Sequence, residues 1–149
     1  MNNQDTRDVA DPNRRLVHDL FDQVINAHDP AQVERFYRPD YIQHNPSVPG
    51  GIEGVRQVLA LLFTAFPDLR GRIELSLSEH DRILVVVEWS GTHEGPFAAL
   101  PATRRVVRFR SAEIFRIQDG RFAEHWDVVE NTDMQVALGL LSRGSQSAG

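Results

Sequence analysis

The chain has 149 residues, 41% hydrophobic and 25% charged, a length that predicts one domain burying roughly two-thirds of the surface of its unfolded chain. It has no Cys, and all 16 basic residues are Arg. These absences exclude disulfides, thiolate nucleophiles, cysteine metal sites, lysine Schiff bases and a P-loop lysine.

A net charge of −5 argues against nucleic acid as a partner, since Arg104, Arg105, Arg108 and Arg110 form only a short basic cluster. No apolar run approaches the ~20 residues of a membrane span, and Met1 to Asp11 has no signal-peptide character. A cytoplasmic protein with no membrane association is expected.

Met1 to Asp11 and Ser142 to Gly149 are polar or Ser/Gly-rich and are predicted to be flexible ends around one domain over 12–141. The first helix starts at Pro12 with Asp11 as its N-cap. Leu16, Val17, Leu20, Phe21, Val24 and Ile25 recur on one helical face, and His28-Asp29-Pro30 ends the pattern. A short second helix is predicted over Ala31 to Tyr37, broken by Pro39-Asp40. Tyr41 to His44 reads as a short strand, and Asn45 to Gly51 as a Pro/Gly loop. A third helix carries Val55, Val58, Leu59, Leu62 and Phe66 on one face and stops at Pro67.

The period then changes from helical to alternating. Arg72 to Glu79 puts Ile73, Leu75 and Leu77 on one side, and Ile83 to Thr92 is rich in β-branched residues. His93 to Thr103 is a loop, and Val106 to Ile117 a long strand. Gln118-Asp119-Gly120 is the best hairpin turn in the chain, and Arg121 to Asn131 returns. Helices followed by an antiparallel meander give an α+β fold, with three helices covering one face of a curved sheet.

Alternation places Val107, Phe109, Ser111, Glu113, Phe115 and Ile117 on one face, the more apolar one, and sets Glu113 in the middle of it. On the next strand His125 and Asp127 share a face. A tight hairpin brings Glu113 opposite or diagonal to both. Two carboxylates and an imidazole in a half-apolar interior are what general acid/base chemistry needs. One bulge would reverse the parity and put Asp127 outside. His44, in Gln43-His44-Asn45-Pro46, is a candidate for binding a substrate oxygen or is a turn histidine. Trp89 is a candidate pocket wall or simply core, and His93 heads the Gly95-Pro96 loop. His125-Trp126-Asp127 begins an iron-type H-x-D pattern, but no His follows it, so no metal is expected. No G-x-S-x-G elbow or phosphate loop is present.

Gln43-His44-Asn45-Pro46, the Gly91-Thr92-His93-x-Gly95 loop, and Arg116-Ile117-x-Asp119-Gly120-Arg121 leading to Glu124-His125-Trp126-Asp127 together resemble the SnoaL-like polyketide cyclase family of the NTF2-like superfamily. The resemblance covers nearly all of 14–141. It implies an NTF2-like cone with a deep pocket, no cofactor, and a small hydrophobic or aromatic substrate. Characterised relatives close the last ring of aromatic polyketides by intramolecular aldol reaction. The family's base corresponds to Asp127. A family His on the preceding strand falls at Glu113, a departure from the pattern. Asp127, His125, Glu113 and His44 are therefore the candidate catalytic residues, and Asn45, Trp89, His93, Phe109 and Phe115 the candidate substrate contacts. Hydroxylase- or hydrolase/isomerase-type chemistry, and a non-catalytic binding or dimerisation module, remain the alternatives on this fold. Trp126, Val128 and Ile114 on the outer face predict a homodimer.

Overall fold

The computed structural model describes residues 10–144. Most of the two predicted flexible ends lies outside the described residues. Asp11 caps the first helix, its carboxylate accepting from the Asn13 backbone N–H at 2.9 Å. This helix, α1 (Pro12–Leu20), runs into a π turn over Phe21–Ile25, where the Asn26 N–H donates to the Phe21 carbonyl at 2.7 Å. The extra residue carries Asn26 to the sheet. Its side-chain amide bonds both backbone groups of Gly71, at 3.0 and 2.9 Å. A 3-10 stretch, Pro30–Arg35, replaces the expected second helix, and Tyr37 already belongs to a strand. The third helical segment is α2 (Gly51–Ala65). Among the described residues no helix is long and apolar enough to cross a membrane.

The strands are β1 (Tyr37–Gln43), β2 (Arg70–Glu79), β3 (Arg82–Thr92), β4 (Val106–Gln118) and β5 (Arg121–Glu130). They form one sheet in the order β1-β5-β4-β3-β2, antiparallel except for β1 beside β5. β1 begins four residues before the predicted strand because Pro39 does not break it. Pro39 lies between the paired positions Tyr37↔Phe122 and Ile42↔Glu124, where the register shifts on an edge strand and its missing N–H interrupts no ladder. A further short helix, α3 (Thr132–Ala137), follows β5 and was not legible in the pattern. Six residues are too few for a period, but Met134 and Leu138 are buried against Val107.

The expectation that Ile73, Leu75 and Leu77 share a side is overturned. A bulge between Ile73 and Leu75 reverses the parity. Ile73 packs on the core, while Leu75 and Leu77 are 48% and 56% exposed on the outer face. Two apolar rows therefore cross the outer sheet: Leu77–Leu84–Ile114–Trp126 and Leu75–Val86–Ala112–Val128. Charged rows flank them, Arg82–Arg116–Glu124 on one side and Arg72–Glu88–Arg110–Glu130 on the other.

The inner face holds two apolar clusters. One gathers α1, the π turn, β1 and the hairpin end of β3–β5 around Val24, Val85, Phe115 and Phe122. The other surrounds Phe66, Val107, Met134 and Leu138. Phe63 and Trp89 pack against both.

Gly71 holds this junction together. A Cβ there would stand 2.7 Å from Phe21 Cε1 and 2.9 Å from Trp89 Cζ3, two rings already packed together. Gly71→Ala should destabilise the fold by about 1–3 kcal/mol, the usual range for overpacking. Urea unfolding should show the lower midpoint with an unchanged slope.

Candidate active site

The inner row of β4 is apolar at both ends and polar in the middle, where Ser111 and Glu113 stand between Val107 and Phe115. Glu113 pairs across to Asp127, and Phe115 to His125, so Glu113 is beside one and diagonal to the other. The Trp89 indole N–H donates to Ser111 Oγ at 2.8 Å. The Ser111 hydroxyl donates in turn to Glu113 Oε1 at 2.5 Å. The other Glu113 oxygen, Oε2, meets His125 Nε2 at 2.6 Å. Phe115 lies beneath the imidazole, with ring centroids 4.7 Å apart. The Glu113 and His125 side chains are 13% and 10% exposed. A bare carboxylate facing a bare imidazole nitrogen at that distance would oppose two lone pairs, so a proton lies between them.

β1 completes the site by clamping β5 residue for residue. Gln43 Oε1 lies 3.0 Å from His125 Nδ1. The next residue, His44, points to the other face and stacks on Trp126, with centroids 4.5 Å apart and planes 3° from parallel. Asn45 returns to the inner side, its amide donating to Asp127 Oδ2 at 2.7 Å. The loop backbone orients both amides. The Asn45 N–H donates to Gln43 Oε1 at 2.9 Å, and the Ser47 N–H to Asn45 Oδ1 at 2.8 Å. Among the described residues, the Asp127 carboxylate has no hydrogen-bond partner other than Asn45.

Glu113, His125, Asp127 and Asn45 therefore come together, with Trp89 reaching them through Ser111. Phe109 stacks along Trp89 at 6.0 Å. Two expected site residues stand elsewhere. His44 is on the outer face, 3.6 Å from Glu124 and turned away from the other three, because alternation along β1 gives that side to it. His93 is fully buried in the second cluster, against Phe66 and bonded to Thr103 Oγ1 at 2.9 Å. Phe115 supports the imidazole from within the core rather than lining an opening.

Ser111, Gln43, Tyr41 and Tyr37 were not singled out from sequence. Ser111 shares the parity of Glu113, and Gln43 the parity of Asn45, so alternation was the available signal. Tyr41 accepts from the Gln43 amide at 3.1 Å and packs edge-on to Tyr37. Glu113, His125 and Asp127 also offer ligand atoms within 4.8 Å of one another. The direct contact of Oε2 with Nε2 fills the space that a cation shared by those two atoms would need. Two clefts, of about 370 and 520 Å³, lie away from the trio. One is beside Pro12, Leu16 and Gly120, the other beside Thr132, Val136 and Arg143.

Burial pushes the Tyr37 phenol well above its ordinary range, helped by the nearby Glu113 charge. Tyr41 rises for the same first reason, with Tyr37, Glu113 and Asp127 adding to it. Both phenols therefore stay protonated, as neutral donors, through neutral pH. They are the only tyrosines in the chain, so an ultraviolet absorbance titration reads them cleanly. Phenolate should not appear at the ordinary value near 10 but only above it. The unfolded chain loses these protons first, so stability should be intact below about pH 10 and fall as pH rises further.

The family model described as SnoaL-like polyketide cyclase matches residues 15–138. No curated protein matches the chain. Three solved structures are similar. AclR of Streptomyces galilaeus, described as a candidate hydroxylase, is 24% identical with a TM-score of 0.81, over 89% of this chain and 84% of that one. TsrD of Streptomyces laurentii is 28% identical with a TM-score of 0.77, over 87% and 96%. IdmH of Streptomyces antibioticus, described as a candidate polyketide cyclase, is 25% identical with a TM-score of 0.72, over 86% and 98%.

Proposed function

The chain belongs to the SnoaL-like polyketide cyclase family, and from its site we propose a cofactor-independent acid/base enzyme that closes a ring on a small aromatic, polyketide-like substrate. One observation carries this reading. The Asp127 carboxylate, held by a single amide donor and otherwise unpartnered among the described residues, stands beside a Glu113–His125 contact that holds a proton. A base and an acid are thus adjacent, and each is held by its own hydrogen bonds.

In the scheme, Asp127 takes a proton from the carbon next to a carbonyl. The C–H electron pair becomes an enolate, whose oxygen receives hydrogen bonds from the site. The enolate carbon attacks a second carbonyl of the same molecule. The resulting alkoxide takes the proton held between Glu113 and His125, and solvent exchange returns the proton on Asp127 to that pair. Trp89 and Phe109, stacked 14° from parallel, offer a flat apolar wall for a planar substrate. Asn45 holds the base in place. His44 and His93 have no part in this scheme.

A ligand-binding module without catalysis is the second reading, and one observation favours it. Glu113 and His125 already have partners on every polar atom, as a structural hydrogen-bond network would. Asp127→Asn separates the two. On aromatic polyketide-type diketone substrates, the enzyme reading expects a fall in turnover of about 10²–10⁴-fold with the fold intact. A folded Asp127→Asn protein with full turnover would overturn the assignment of Asp127, and no turnover by the parent protein on any such substrate would favour the binding module.

The homodimer belongs to the same proposal. The two outer apolar rows, with Val128 69% exposed, are framed by rows of mixed charge, the arrangement of an apolar interface with a polar rim. Val128→Arg should shift the protein from dimer to monomer by light scattering. A parent chain that is monomeric across a wide concentration range would refute the interface.

A further inference from the structure

We infer that Gln43 is a positioning residue that fixes the tautomer of His125 and so sets how many protons the His125–Glu113 pair carries. The argument follows the donors. The backbone N–H of Asn45 donates to Gln43 Oε1, which identifies that atom as the oxygen of the amide. The same oxygen lies 3.0 Å from His125 Nδ1. Two acceptors do not face each other at that distance, so Nδ1 carries a proton. The other amide atom, Nε2 of Gln43, donates to Tyr41, and turning the amide round would put its N–H groups against the Asn45 N–H and lose that bond.

The far side of the pair is fixed in the same way. The Trp89 indole N–H can only donate, so Ser111 Oγ accepts from it and spends its own proton on Glu113 Oε1. Glu113 Oε1 is therefore an acceptor, and the pair's exchangeable proton is confined to the line between Oε2 and His125 Nε2. The imidazole and the carboxyl together hold two protons, one parked on Nδ1 and one shared.

An ordinary imidazole–carboxylate contact needs only one. A neutral histidine free to choose would turn its single N–H toward Glu113 and leave Nδ1 bare. Gln43 forbids that choice, because a bare Nδ1 would face its oxygen. The second proton is what gives the pair something to donate beside Asp127. The use made of that proton rests on the acid/base reading above, but its position does not.

Nitrogen-15 NMR of histidine-labelled protein at neutral pH reads the position directly, without substrate. His125 is assigned by the loss of its signals in His125→Asn. The parent protein should show Nδ1 as the protonated ring nitrogen. In Gln43→Met the Nδ1 proton should be lost to solvent, leaving Nδ1 bare and a single proton between Nε2 and Glu113 Oε2. Gln43→Glu, which restores an acceptor oxygen, should return it to Nδ1. A bare Nδ1 in the parent protein overturns the inference, as does a tautomer unchanged in Gln43→Met. If Gln43→Met fails to fold, Gln43→Ala removes the same acceptor and should show the same bare Nδ1, and an unchanged tautomer there overturns the inference. A parent spectrum as expected, together with an inactive parent protein, would leave the tautomer standing and remove only the catalytic reading.

Discussion

The contact between Glu113 and His125 governs how this sheet can be built. Placing a carboxyl in the middle of an inward apolar row is unfavourable by several kcal/mol if the group is left charged and alone. The proton shared with His125 removes that penalty, and it does so across two strands whose register puts the residues diagonal to each other. The remaining polar atoms must then be satisfied as well, since a half-paired buried network is worse than none. Ser111, Trp89 and Gln43 do this, and each lies on a different strand from its partner or two positions along the same one. The polar group lies beside two apolar clusters of the inner face, and among the described residues Phe63 and Trp89 pack against both.

The edge strand is tied into this arrangement. β1 makes few ladder bonds to β5, and the register slips around Pro39. Three consecutive side chains compensate at its end, Gln43 on His125, His44 on Trp126 and Asn45 on Asp127. Two of them act on the inner face and one on the outer, so the strand end grips β5 from both sides. On the outer face Trp126 is covered by His44, and the Arg82 guanidinium lies 5.5 Å from its ring.

Much of this was legible in the sequence because strand parity is a rigid rule wherever no bulge intervenes. β4 runs without interruption through its polar section, so Glu113, Ser111 and Phe115 could be assigned to one face by counting. The hairpin at Asp119-Gly120 alone would set Trp126 opposite Glu113; a register shift between Arg116 and Ile117 moves β5 on by one residue and brings His125 and Asp127 to that wall. The rule failed on β2, where the bulge between Ile73 and Leu75 sends two leucines outward. No residue type there announces a bulge. His44 shares a motif with Gln43 and Asn45 but not a face, since alternation turns it to the outer side. Gln43 and Ser111 went unnoticed for another reason. Neutral hydrogen-bonding residues gain their roles only from what lies opposite, and that is information the single chain does not carry locally. α3 was missed because its helical signal is shorter than a full pattern, and its stability comes from packing on Val107.

The sequence resemblance expects a histidine where this chain has Glu113, and the inferred proton count gives a physical account of that difference. A histidine at that position brings a single group able to hold or release a proton. Glu113 alone, as a bare carboxylate, would bring negative charge and no donor, next to another carboxylate at Asp127. Joined to His125, with Nδ1 held by Gln43 and Oε1 held by Ser111, it is again a unit of near-zero net charge with one exchangeable proton. The like charges at Glu113 and Asp127 are then not opposed, and Asp127 is left as the single anion of the site. A chain without Lys or Cys has no lysine iminium and no cysteine thioester to draw on. Carbon–carbon chemistry on this scaffold would have to run through protons placed by hydrogen bonds, and the donors and acceptors around Glu113 and His125 leave only one position where such a proton can be exchanged.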